Sequence, residues 1–143
     1  MAKFHFKYEP IKRIKEQLEK KVQKEIAVIN DLIEKNKEKI VSIRNEMFAK
    51  KVKYNAGAKA KELQFQKNYE TYMLGLIENI NLENAELEKE KSIKLKELLE
   101  KSKEKKILVK LEEKHLENFN KEENRIEAER VDEVATQSFI RGK

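Results

Sequence analysis

Cysteine is absent from this chain of 143 residues, proline occurs once and glycine three times. Without cysteine there is no disulfide scaffold, thiolate metal site or cysteine nucleophile, and a reducing compartment suits such a chain. Three scattered glycines cannot build a phosphate loop, a dinucleotide fingerprint or a nucleophile elbow. No apolar run approaches the ~20 residues of a membrane span, and the N-terminus lacks the hydrophobic core of a signal peptide. The expectation is a cytoplasmic chain without membrane insertion. The two histidines, His5 and His115, stand far apart with no spacing that suggests a metal pair. The many glutamates, set on solvated helix faces, have no pocket to raise a pKa for general acid catalysis. No enzyme activity, metal or cofactor is expected.

What is present is charge. Asp, Glu, Lys and Arg make up 42% of the sequence and the mean hydropathy is −0.88. That leaves too little apolar material for a compact core and suits long helices with a narrow seam. Such charge also accompanies disorder, but Ile, Leu and Val recur at helical spacing almost throughout. The net charge of +6 is uneven: residues 11–56 carry 13 Lys or Arg against 7 Asp or Glu. A basic first helix could track phosphates. Here Glu16, Glu19, Glu25 and Asp31 interrupt the lysines and no aromatic platform lies among them. A solvated face is the better reading, and no nucleic acid is expected as a partner.

Pro10 fits a first helical turn, where its missing donor is not needed. A first helix is expected over about 10–54. Ile26, Ile29, Ile33, Ile40, Ile43 and Met47 keep the alternating three and four spacing of a heptad, with Asn36 filling the one remaining place. Upstream, Ile14, Leu18, Val22 and Ile26 run at successive fours, a stutter expected to unwind a supercoil locally. A second seam runs through Leu63, Tyr69, Met73, Leu76, Ile80, Leu87, Leu95 and Leu98. Between the two lies YNAGAKAKEL, in which Asn55 and Gly57 mark a turn over about 55–58. Without a Cβ, Gly57 can adopt the left-handed conformation that ends a helix and reverses the chain. A second helix is expected over about 59–138.

The expected fold is all-α: one elongated antiparallel two-helix coiled-coil hairpin spanning residues 1–143, with a longer, overhanging C-terminal helix. A turn centred at Gly57 pairs Leu18 with Leu95, Ile26 with Leu87, Ile33 with Ile80 and Ile40 with Met73. A register slipped by one heptad matches nearly as well. In the expected register helix one covers helix two only to about Ser102. The ~30 residues beyond, at 1.5 Å each, make a free arm of roughly 45 Å. Leu108, Leu111, Leu116, Phe119, Ile126, Val131, Val134, Phe139 and Ile140 form a sparse apolar stripe along it.

Both ends resemble a known family. The opening FHFKYEPIKRIKEQLEKKVQKE is similar to the start of FliJ, the small coiled-coil protein of the flagellar type III export apparatus. There, two Phe separated by one residue precede a charged amphipathic helix; Phe4, Phe6, Ile11 and Ile14 take the matching places, and Pro10 departs from the pattern. GAKAKELQFQKNYETYMLGL looks like that family's turn and second-helix start. EENRIEAERVDEVATQSFIRGK is similar to its charged tail, with Asp132, Glu133, Ala135, Phe139 and Arg141 in place.

The resemblance implies a non-catalytic stalk, similar to the central stalk of rotary ATPases, that binds and stimulates a hexameric export ATPase. It also implies contacts with the export gate membrane protein and with export chaperones, at the cytoplasmic face of the inner membrane. On it, Phe4, Phe6, Phe119, Ile126, Arg130, Val134 and Phe139 are the candidates to face the ATPase ring. The family's export-gate surface falls on Tyr72, Leu76, Asn79 and Glu83, of which Asn79 and Glu83 depart from the expected pattern. The alternatives are the equivalent stalk of a virulence-type secretion system, a basic coiled-coil nucleic-acid binder and a structural adaptor.

Overall fold

The structure is a computed structural model that describes residues 2–54 and 59–142. It contains two helices, α1 (Glu9–Tyr54) and α2 (Ala60–Arg141), and no strand among the described residues. The protein is all-α. The expected turn residues Asn55 and Gly57 lie outside the described residues.

Local chemistry sets the helix ends. The Glu9 amide donates to the Phe6 carbonyl at 3.1 Å, and the Lys12 amide to the Tyr8 carbonyl at 2.9 Å. Pro10 follows in the first turn, where no intrahelical donor is required. At the start of α2 the Lys59 carbonyl accepts from the Leu63 amide at 3.0 Å, while the Lys59 amide donates to the Glu62 carboxylate at 3.1 Å. That is the reciprocal half of a capping box, and it also sets an acid beside the positive end of the helix dipole. Arg141 in the last turn complements the other end.

The contacts group the chain into two units, residues 20–99 and residues 1–19 with 100–143. In the first, the hairpin unit, α1 buries Val22, Ile26, Ile29, Ile33, Asn36 and Ile40, and α2 buries Met73 and Ile77. The α1 set keeps strict four and three spacing, the signature of a coiled-coil seam. Asn36, only 4% exposed, donates through Nδ2 to Oδ1 of Asn84 at 2.8 Å. Lys94 pairs with Glu25 at 2.6 Å, and the Lys50 ammonium lies 4.2 Å from the centre of the Tyr69 ring. Because the higher number on one helix meets the lower on the other, the helices run antiparallel.

These pairs overturn the expected register. With the turn centred at Gly57, Asn36 would face Ile77; it meets Asn84 instead, ~7 residues or one heptad further along α2. The reason is the amide. Apolar matching barely separates the two registers, whereas a buried amide without a partner costs about 1–3 kcal/mol. The α2 seam changes accordingly. Leu95 is 43% exposed and Leu63 is exposed, while half-buried Asn84 and Lys94 take seam places. Following the apolar residues alone passes over both.

In the terminal unit, residues 1–19 and 100–143, the inward positions of α1 are charged. Lys12 pairs with Glu112 at 2.6 Å, Lys15 with Glu104 at 3.0 Å and Glu19 with Lys105 at 2.9 Å. Ile14, expected in the seam, is 54% exposed, and Ile11 is also exposed. The seven-residue repeat runs back from Val22 through Glu19, Lys15 and Lys12, so the apolar stutter is not followed. The lysine side chains are partly buried while their ammonium groups reach carboxylates, which makes a charged seam tolerable.

The expected coverage of α2 is also corrected. α1 and the segment before it reach well past Ser102, to Glu112, His115 and Phe119. Residues 124–141 of α2 are all exposed, about 27 Å of helix at 1.5 Å per residue, as is Gly142 after it.

Ile33→Ala is expected to lower unfolding stability by about 2–4 kcal/mol, because Ile33 fills a buried seam place. Ile14→Ala is expected to change it by less than ~0.5 kcal/mol, as an exposed position does. Urea unfolding of the full chain followed by circular dichroism measures both.

Candidate functional site

The first candidate surface belongs to the terminal unit. Phe6 is buried, with its ring centre 5.7 Å from His115 and 5.8 Å from Tyr8, both edge-on. Phe4 meets Phe119 at 5.5 Å. Edge-to-face and tilted rings at these separations attract through their quadrupoles, so the Phe-x-Phe segment is a clasp holding the N-terminus on α2. Of the ring-facing candidates, Phe4, Phe6 and Phe119 are thus brought together. Phe119 is half-buried under Phe4 and does not stand on a free arm. His115 and Tyr8 complete this cluster, which sequence reasoning does not find; the only signal is the helical spacing of His115 and Phe119.

Past the clasp, Ile126, Arg130 and Val134 follow at intervals of four and share one exposed face of α2. Phe139, 67% exposed, does not join them. Five residues beyond Val134 at ~100° each put it about 140° round the helix. The expected single stripe is two faces. Arg125 lies beside the first and is engaged by Glu122 and Glu129 on the same helix.

The second candidate surface belongs to the hairpin unit. Tyr72, Leu76, Asn79 and Glu83 each stand one residue before a seam position, Met73, Ile77, Ile80 and Asn84 in turn. They therefore form one stripe flanking the seam. Tyr72 is 65% exposed, Asn79 and Glu83 are exposed and Leu76 is half-buried. On the same unit Val28, Ile29, Leu32 and Leu87 line an open groove of about 350 Å³, edged by Glu25, Glu90 and Lys94.

Among the described residues no three His, Asp or Glu side chains are placed to hold a metal ion, and no helix is long and apolar enough to cross a membrane. What these surfaces offer is apolar contact between helices with charge around it.

A family model described as the flagellar FliJ protein matches residues 4–143. The chain belongs to the FliJ family. No curated protein and no solved structure matches it. As a FliJ family member it is a flagellar export-associated protein, and its family is one of non-enzymatic accessory proteins. The match begins at Phe4, the first residue of the aromatic clasp, and runs through the exposed end of α2.

The charged seam of this FliJ family member makes its terminal unit acid-sensitive. The hydrogen bond from Lys105 holds the Glu19 carboxyl below its ordinary value of 4.5, and that from Lys15 does the same for Glu104. Groups lowered in the folded state contribute stability that is present above their unfolded pKa and lost as pH falls through the folded one. Thermal melts are expected to be flat around neutrality and to shift down progressively below about pH 4.5. A Glu19→Gln, Glu104→Gln double variant is expected to start lower at pH 7 and show a shallower acid slope.

Proposed function

We propose that this chain is a non-catalytic stalk of the flagellar type III export apparatus that binds and stimulates the hexameric export ATPase. The whole-chain match to the FliJ family carries this reading. The exposed helical end of the terminal unit supports it: residues 124–142 are exposed and helical to Arg141, and they carry apolar side chains on more than one face. A helix with Ile126, Arg130 and Val134 on one side and Phe139 on another suits a partner that surrounds it, as the bore of a ring does. Phe4, Phe6 and Phe119 then act one step removed, fixing the base from which that helix emerges.

The same reading gives the flank of the hairpin unit to the export gate, through Tyr72 and Leu76 with Asn79 and Glu83 beside them. An exposed aromatic next to a half-buried aliphatic residue makes an anchor of the kind that dominates small interfaces. Export chaperones are the third class of partner, and the association would hold the chain at the cytoplasmic face of the inner membrane without inserting it.

The test is ATP hydrolysis by the cognate export ATPase, alone, with the full chain and with a chain ending at Glu127. That truncation keeps the ion pairs between α1 and α2 and the ring contacts of the terminal unit, and of the ion pairs described above removes only Arg125–Glu129, so it separates folding from contact. Stimulation by the full chain and its loss, by at least about fivefold, with the truncated one is the expected outcome. Equal stimulation by both would remove the ring-facing role from residues 128–142, and no effect of either on rate or ring assembly would remove the stalk reading itself.

A further inference from the structure

One side of the hairpin unit complements itself. We propose that this side binds a second copy of the chain about a two-fold axis parallel to the helices, so that α1 of each copy lies against α2 of the other.

The stripe of Tyr72, Leu76, Asn79 and Glu83 continues at the same spacing through Glu86, Glu90 and Ile93, all three exposed. On the same side of the seam, Val28, Leu32, Lys35 and Lys39 of α1 recur at intervals of four and three and are exposed as well. The open groove joins the two stripes, because Val28 and Leu32 line it together with Leu87 and Glu90. The charges divide by helix. Over this span α1 supplies Lys35 and Lys39, whereas α2 supplies Glu83, Glu86 and Glu90. Lys35 and Glu86 are engaged only by Asp31 and Lys89 on their own helices, and Lys39, Glu83 and Glu90 take no ion pair among the described residues. Exposed pairs within a helix hold their members weakly, so this side offers a lysine row and a glutamate row with apolar residues between them.

A two-fold axis parallel to the helices leaves heights along the hairpin unchanged, so residues level with each other within one copy are level between copies too. Asn36 is level with Asn84 and Glu25 with Lys94. In that register Val28 stands level with Ile93, Lys35 with Glu86 and Lys39 with Glu83, each to within about two residues, or ~3 Å. α1 of one copy then meets α2 of the other apolar to apolar and lysine to glutamate, and the symmetry repeats every contact. The product is an antiparallel four-helix bundle, in which Val28, Leu32, Leu87 and Ile93 leave water. Glu25 and Glu97, acids that the two helices also bring near each other, are both held by Lys94, at 2.6 and 3.4 Å. The opposite side of the hairpin does not complement itself, since the same axis would set Lys51 level with Lys67 and Glu34 level with Glu88. Another protein would have to reproduce the basic and apolar stripe of α1 to fit here, whereas a second copy carries it. The same side bears Tyr72 and Leu76, so pairing of copies and binding of any other partner to that stripe exclude each other. The inference concerns the hairpin unit alone and holds whatever the chain's partners are.

Sedimentation equilibrium of the full chain tests this, with helix content checked by circular dichroism. The parent is expected to pass from monomer to dimer between about 1 μM and 1 mM. Lys35→Glu with Lys39→Glu puts acid on both helices, and Glu83→Lys with Glu86→Lys puts base on both. Each of these variants is expected to raise the dissociation constant at least about tenfold through like charges set against each other. All four positions are exposed, so helix content should not change. A chain carrying all four changes sets Glu on α1 against Lys on α2 and should dimerise as the parent does. That recovery requires α1 to lie against α2, because contacts between like helices would remain repulsive. A parent that stays monomeric throughout overturns the proposal and leaves the groove to a basic amphipathic helix of another protein. A dimer as tight in the two-change variants as in the parent, or one that the four-change chain does not recover, also overturns it, since the copies would then meet elsewhere.

Discussion

A single hydrogen bond, from Asn36 to Asn84, marks which residues of the hairpin unit face each other. A seam of isoleucines is a strong source of association and a poor source of specification, because every heptad looks like the next. Burial of Val22, Ile26, Ile29, Ile33 and Ile40 brings the helices together without saying where. The amide says where, because it is the one group in the α1 seam whose burial penalises every partner except another polar one. From that choice follow the Glu25–Lys94 pair, the identity of the groove residues around Leu87 and the exposure of Leu95.

The terminal unit is specified differently. Its inward positions on α1 are Lys12, Lys15 and Glu19, and each finds an opposite charge on α2. Partly exposed ion pairs contribute little stability each, and the buried apolar side chain of this unit is Phe6, within the aromatic clasp formed with Phe4, Tyr8, His115 and Phe119. The clasp lies before the first turn of α1, where the family match also begins. A charged seam is directional where an apolar one is not. Shifting α1 back by one heptad would set Lys12 against Lys105, so these pairs act as a filter on pairing even where their energy is modest.

Much of this is legible in the sequence. The helical periodicity, the single α1 seam from Val22 to Met47 and the family resemblance at both ends all come from repeating or matching letters. Register is not legible, for a physical reason: the apolar pattern is nearly degenerate under a heptad shift, and the information resides in Asn36, which reads as a gap in the pattern. The charged seam escapes on similar grounds. A search for hydrophobic residues follows Ile14 and Leu18, while the chain exposes Ile14, half-buries Leu18 and turns Lys15 and Glu19 inward towards Glu104 and Lys105. Phe139 reads as part of one stripe with Val134 because both are apolar, although five residues on a helix separate faces.

The two corrections change the meaning of the C-terminal end of α2. With the register near Gly57, an exposed arm would begin at Ser102 and would have to remain helical over a long stretch on propensity alone, which isolated helices manage poorly in water. With contacts reaching Glu112, His115 and Phe119, the exposed part begins near residue 124 and grows directly out of a held segment. Nucleation, the costly step in helix formation, is then already complete, and each further residue needs only to propagate. The Glu122–Arg125–Glu129 pairs lie in the turns where that propagation starts, and i, i+3 and i, i+4 pairs are what support a helix without tertiary contacts. A helix prepared in this way reaches a partner with much of its ordering entropy already spent, which favours presenting its apolar residues on several faces over burying them within the chain.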